Sequence, residues 1–335
     1  MSSRKWNIPA EWSGAPPSVR QAHGPMRRVL VLLPLAAAGT ALALGARASS
    51  PALESTVGAA RASSHKKASR AGKHALGAAR PAHGVEAARH RGGYEVDEGT
   101  LADPVAGATC PGDMANVDGR FCIDRYEGAL VEVQGDGREA PWPPFGPVDD
   151  GRRLRAISVA GVYPQAYISG AQAARACAEA GKRLCAPVEW RKACRGARDV
   201  AFGYGASRVA GRCNDAGTSP MLRLYPQVAV SWTLVGVTEM NDPRLDQLDG
   251  TLAPTGAHEQ CASDYGVYDM VGNLHEWTSD PHGTFQGGYY LDTHQNGDGC
   301  AYRTVAHEFT YHDYSTGFRC CAAPAAAGTA PDDHG

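Results

Sequence analysis

The sequence predicts an irregular, loop-rich α+β domain braced by disulfides, and three observations predict it. The ten cysteines form an even set with no CxxC or zinc-finger spacing, and all of them lie at or after Cys110. Behind an export signal such a set reads as a disulfide framework. The 335 residues include 40 Gly and 22 Pro, which cut the chain into short pieces. Capping and stop signals support two short helices, and the other elements are short strands among turns.

Charge divides the chain. Residues 1–92 carry 14 Lys and Arg against three acids, Glu11, Glu54 and Glu86, whereas residues 93–335 carry 19 basic against 32 acidic side chains. An acidic globule disfavours nucleic acid as a partner, because phosphates want a positive face. Arg27 and Arg28 precede an apolar run from Val29 to Ala46 that ends in Ala46-Arg47-Ala48, a small-x-small cleavage pattern. Residues 26–48 therefore read as a signal peptide or an N-terminal anchor, with Met26 as a compact start and residues 1–25 as an upstream extension. Pro34 and the many alanines make the run a marginal span of a hydrocarbon core about 30 Å thick. A periplasmic or extracellular location follows, with membrane attachment only if the segment is retained. Residues 49–102 are basic and rich in Ala, Ser, Arg and His, a composition that buries no face and serves as a linker. The folded domain is assigned to 103–322 and a small-residue tail to 323–335.

Within the domain, Phe121 to Tyr126 reads as a strand. Ser169 with Gln172 forms a capping box for a helix over Gly170–Ala180, with Gly181 in the stop position. Pro187 and Glu189 open a second helix that runs through Trp190 to Arg195 and ends at Gly196. Further strands are expected at Val228–Leu234, Gly287–Leu291 and Gly317–Cys321. Phe309–Tyr314 also has a β-like pattern. Trp190 and Trp277 are expected in the core.

Seven fragments in order carry a resemblance. They are Phe121-Cys-Ile-Asp-Arg-Tyr-Glu127, Gly181-Lys-Arg-Leu184, Val188-Glu-Trp190, Ala193-Cys-Arg-Gly196, Gly266 to Asp280 with Val271-Gly-Asn-Leu-His-Glu-Trp277 at its centre, Gly287-Gly288, and Gly317-Phe-Arg-Cys320. Together they resemble the formylglycine-generating enzyme, or sulfatase-modifying factor, family. That resemblance implies a fold related to C-type lectins over about Cys110 to Cys321. It also implies bridges Cys194–Cys300 and Cys177–Cys320. Proximity and elimination then suggest Cys110–Cys122, Cys213–Cys261 and Cys185–Cys321 for the other six cysteines.

Catalytic members of that family oxidise a client cysteine with O2 and a copper(I) ion held by two thiolates, soft ligands for a soft ion. The first thiolate lies three residues after the serine of a Gly-Gly-Ser strand. Here the strand reads Gly287-Gly-Tyr-Tyr-Leu-Asp292, so Tyr289 takes the serine's place and Asp292 the thiolate's. Cys300 matches a structural family cysteine better than the second ligand. No copper is expected. A second branch of the family uses non-heme iron held by an N-terminal helical bundle, and His65, His74, His83 and His90 lie in linker-like sequence instead. By the same resemblance, structural calcium falls on the carbonyls of Val271, Gly272 and Leu274 with the side chain of Glu276, near Asn273. A further set is Asn214, Asp215, Asp246 and Leu248. Oxygen donors of this kind suit a hard cation.

Weaker constellations are His307-Glu308 with His312, one residue too long for a zinc helix, and His275, His282 and His294 with Asp292, Asp298 and Glu308 as a polar cleft for a divalent ion or sugar. Asp280 and Asp292 could also pair for hydrolysis. The sequence is thus read as an exported, non-catalytic binding or scaffold module for a peptide or carbohydrate. Tyr289, Tyr290, Asp292, His294, Tyr302 and Arg303 would line its cleft. The alternatives are a divergent formylglycine-generating oxidase or other metal-dependent enzyme of the family, and a purely structural surface protein.

Overall fold

The computed structural model describes residues 95–326. The expectations for residues 1–25, 26–48 and 49–94, and for the end of the tail from 327, lie outside the described residues. In chain order the elements are β1 (Met114–Val117), β2 (Phe121–Asp124), β3 (Ala129–Val133), β4 (Glu139–Pro141), β5 (Leu154–Ile157), α1 (Gly170–Glu179), β6 (Arg183–Leu184), α2 (Pro187–Arg195), α3 (Pro220–Leu224), α4 (Val237–Met240), β7 (His275–Trp277), β8 (Phe285–Gln286), β9 (Arg303–Thr304), β10 (Thr316–Phe318) and β11 (Cys320–Ala322). The architecture is α+β, with few helices, short strands and long connections.

Three small sheets organise it, in the orders β1-β2-β11-β6, β10-β7-β8-β9 and β4-β3-β5. All their pairings are antiparallel except β7 with β10, which runs parallel with His275 opposite Thr316 and Trp277 opposite Phe318. The helices start as their sequence dictates. The Ser169 hydroxyl accepts the Gln172 N–H while the Gln172 side chain accepts the Ser169 N–H, which satisfies two of the donors a helix start leaves open. Ala186 cannot cap α2 with its side chain, so Glu189 reaches back to accept the Ala186 N–H.

Five disulfides join these pieces: Cys110–Cys122, Cys177–Cys320, Cys185–Cys321, Cys194–Cys300 and Cys213–Cys261. Successive side chains of a strand point to opposite faces, so the neighbours Cys320 and Cys321 on β11 reach two partners, one in α1 and one just after β6. Among the described residues no cysteine is free. The core falls into three clusters: one around Phe121, Ile123 and Trp190, a second around Ile168, Trp277 and Phe318, and a third around Tyr167, Leu274 and Tyr290.

Several expected elements differ. Val228–Leu234 is not a strand but two 3-10 turns, Pro226–Ala229 and Trp232–Leu234. Pro226 fits a first helical turn, the Ser231 hydroxyl accepts the Thr233 N–H, and the apolar pattern is not buried, with Val230 83% and Leu234 55% exposed. Gly287–Leu291 is a turn, because Gly287 and Gly288 have φ of 90° and 73°. Gly317–Cys321 is split between β10 and β11 at Arg319, which turns inward. Phe309–Tyr314 is turn and coil.

The linker expected to reach residue 102 is from Glu95 onward laid on the domain. Glu98 pairs with Arg191 and Arg303, and Leu101 packs on the first core cluster. The tail expected from residue 323 begins in contact with the domain, since Ala325 and Thr109 exchange backbone hydrogen bonds of 3.0 Å.

Candidate functional site

The parallel pair β7–β10 places His275 and the residues leading into β10 side by side, and the turn after β8 brings Tyr289 and Asp292 over them. The two glycines make that turn. A Cβ on Gly288 would lie 2.3 Å from the Asp292 carbonyl oxygen, so only glycine lets the chain fold back tightly enough for Tyr289 and Asp292 to exchange two backbone hydrogen bonds of 3.0 Å. The result is one wall of a cavity of about 640 Å³. Trp232, Val235 and Met240, from the segment around α4, form part of the opposite wall.

The inner surface is a belt of rings. His275 lies 4.9 Å from Tyr289, 5.5 Å from Tyr302 and 4.7 Å from Phe285, ring centre to ring centre. The belt continues from Phe285 to His307 at 4.7 Å and from His307 to Tyr311 at 5.0 Å, while Tyr289 meets Tyr314 at 6.1 Å. Such offset and tilted contacts are the favoured arrangement for aromatic groups.

A hydrogen-bonded chain runs through the belt. The Tyr302 hydroxyl donates to Asp292 Oδ2 at 3.1 Å and lies 3.4 Å from His275 Nε2. His275 Nδ1 is 3.2 Å from the Ser315 hydroxyl, which donates to Asp313 Oδ1 at 2.7 Å. Asp313 Oδ2 accepts from the Tyr311 hydroxyl at 2.5 Å. The other oxygen of Asp292 accepts the N–H groups of His294 and Gln295. Two carboxylates thus lie at the ends of one network with the His275 imidazole between them. Burial, followed by the charge of Asp292, holds the Tyr302 phenol well above its usual pKa, so it acts as a donor. Burial lowers His307, which keeps that ring uncharged at neutral pH.

Of the residues expected in the cleft, Tyr289, Asp292 and Tyr302 line the cavity. Tyr290, although adjacent, points elsewhere and donates to Asp246 at 3.0 Å. His294 is on the surface, 2.9 Å from Asp298, and Arg303 pairs with Glu98 at 2.5 Å. The three-histidine cleft does not assemble, because His282 is tied to Asp280 at 3.1 Å and Glu308 is exposed. Asp280 is fully buried and hydrogen-bonded to Thr284, so the carboxylate that shares the cavity with Asp292 is Asp313 instead. His307 faces the cavity while His312 faces Asn241 at 2.7 Å. Sequence reasoning missed Asp313, Tyr314 and Ser315. Their signal was position, immediately before the Gly317-Phe-Arg-Cys320 fragment, and they reach the site only through the parallel pairing of β10 with β7.

A family model of the sulfatase-modifying factor enzyme 1-like domain matches residues 124–324, more than half of the chain. The chain belongs to that family. No curated protein sequence matches it. Among solved structures, the fold is similar to the Major Tropism Determinant I1 variant, at 14% identity and a TM-score of 0.36 over 66% of this chain and 55% of that one. It is also similar to the protein titled CarF, at 18% identity and 0.35, over 65% of this chain and 95% of that one. The chain spans about half the length of the Major Tropism Determinant.

Within this sulfatase-modifying factor domain, the resemblance sets Asp292 against the family's first copper thiolate, and the described cysteines are joined as disulfides. A hard oxygen donor and oxidised sulfurs do not fit copper(I). In the two sets that the resemblance gives calcium, several side chains have protein partners, while Asp246 Oδ2 has no hydrogen-bond partner among the described residues. Glu276 accepts Arg319 through both oxygens at 2.6 Å and Trp190 at 2.7 Å. Asp215 is paired with Arg208 at 2.5 Å, Asn214 bonds Asn273, and the Leu248 carbonyl accepts the Thr251 hydroxyl. Asp246 is held by Tyr290, and burial raises its pKa.

Proposed function

We propose that this domain is a non-catalytic binding module of an oxidising compartment outside the cytoplasm, and that its ring-lined cavity takes a peptide or carbohydrate ligand. The observation that carries the reading is the substitution of chemistry at one place: where the family's oxidases need a thiolate, Asp292 stands in a hydrogen-bonded network with Tyr302 and His275. A cavity with flat apolar faces and a few convergent polar groups is the usual form of a small-ligand site. Five disulfides suit export, since reducing compartments keep thiols free. Among the described residues, no helix is long and apolar enough to cross a membrane.

The test has two arms. A client peptide with a Cys-x-Pro-x-Arg core, incubated with the protein, O2 and copper, should gain no aldehyde. Binding of envelope peptides and glycans should be lost on Asp292→Ala and Tyr289→Ala. Formation of the aldehyde would establish the oxidase instead, and capture unchanged in both variants would move the binding surface elsewhere.

A further inference from the structure

The cavity that carries this reading also has a charge preference. Asp292 and Asp313 are both buried, 8% and 5% exposed, and both line it. Each is satisfied by neutral donors: Tyr302 and two backbone N–H groups for Asp292, Tyr311 with the N–H and hydroxyl of Ser315 for Asp313. Neither takes part in a salt bridge among the described residues, and no Lys or Arg is among the described residues that line the cavity. Glu276, Asp215 and Asp124 have an Arg or Lys partner; Glu127, Asp246 and Asp269 are buried without one among the described residues, but only Asp292 and Asp313 line this cavity. A buried carboxylate with no Arg or Lys beside it keeps part of its desolvation cost even when hydrogen-bonded. A ligand that supplies the charge removes that cost, and the negative faces of Tyr289, Tyr302 and Tyr314 favour a cation in the same space.

We infer that the cavity binds an alkylammonium group, carried on a lysine side chain of a peptide or on a free amine, with the carboxylates of Asp292 and Asp313 giving the cavity its negative charge and the tyrosine rings around the alkyl stem. This rests on the cavity being a binding site at all. An anionic ligand, or an acidic polysaccharide, would meet two carboxylates of its own sign and is excluded by the same argument.

The inference is tested on the full chain with its disulfides intact, by calorimetric titration with Nα-acetyl-lysine methylamide, its uncharged counterpart Nα-acetyl-norleucine methylamide, and cadaverine. The lysine amide should bind at least about tenfold more tightly than the norleucine amide, within the range that cation–ring and charge contacts provide. Asp292→Asn keeps an Oδ1 acceptor for the two backbone N–H groups it serves, so the turn is retained, and the preference should fall, reaching near unity when Asp313→Asn is added. Cadaverine binding as well as the lysine amide would assign a free amine, and weaker binding a peptide. Equal binding of the charged and uncharged amides, or binding of neither, overturns the inference. In that case, neutral glycan binding that persists in Asp292→Asn would leave the binding-module reading intact, whereas copper(I) uptake through free thiols would end that reading as well.

Discussion

Arg319 shows how much single side chains decide here. It is fully buried, donates two hydrogen bonds of 2.6 Å to Glu276, and adds bonds to the Asp124 and Tyr268 carbonyls. It thereby ties β7 to the junction of β10 and β11. Arg319→Met should lower the unfolding free energy by about 3–5 kcal/mol, because it leaves the Glu276 charge buried and unpaired. Denaturant titration checks this, and a loss under about 1 kcal/mol would show that Glu276 finds another partner. Asp269 sits in the same polar core, where burial raises its carboxyl from 3.8 to about 7 against the opposing pull of the Gly256 N–H and Arg319. A carboxyl with a raised folded pKa stabilises the fold while protonated. That contribution is complete below the ordinary carboxylate value and is lost as pH rises through about 7. Burial raises Glu127 in the same sense. The unfolding free energy should therefore decline between about pH 4 and about pH 7, and Asp269→Asn should flatten the decline. A slope unchanged by that substitution would contradict the assignment.

Among elements, the turn after β8 matters most, since it converts a sequence that reads as a strand into the wall of a cavity. Gly288→Ala should destabilise the domain by at least about 1–2 kcal/mol, from the left-handed backbone alone, and should weaken capture at the cavity by displacing Asp292. Unchanged melting together with unchanged capture would mean that the turn tolerates a side chain. The two longer helices were legible because their signals are local: Ser169 with Gln172, and Pro187 with Glu189. The strand expected at Val228–Leu234 failed because β-branched residues mark a strand only if a neighbour pairs with them, and here the proline and the Ser231 cap win. Phe309–Tyr314 failed for the same reason. Within the site, Tyr289, Asp292 and Tyr302 could be placed by their distance from Gly287-Gly288 and from the Cys300-Ala-Tyr-Arg303 segment. Asp313 and Ser315 could not, because a parallel strand pair between residues about forty apart leaves no local mark in the chain.

At the scale of the molecule, the chain joins short strands by many turns, and the disulfides add to the packed core by restricting the unfolded chain. Each such bridge contributes about 2–4 kcal/mol, and two of them converge on β11, the strand that also joins β2 to β6. The order of seven sequence fragments made the family legible, while the charge of the cavity was not, since it depends on which carboxylates end up without an Arg or Lys. The central claim is that sulfur is withdrawn from the cavity's chemistry and a carboxylate placed there. It is tested most directly by thiol titration of the mature protein, denatured without reduction. The account predicts close to zero reactive thiols per chain, and a value near two, lost on prior addition of copper(I), would contradict it.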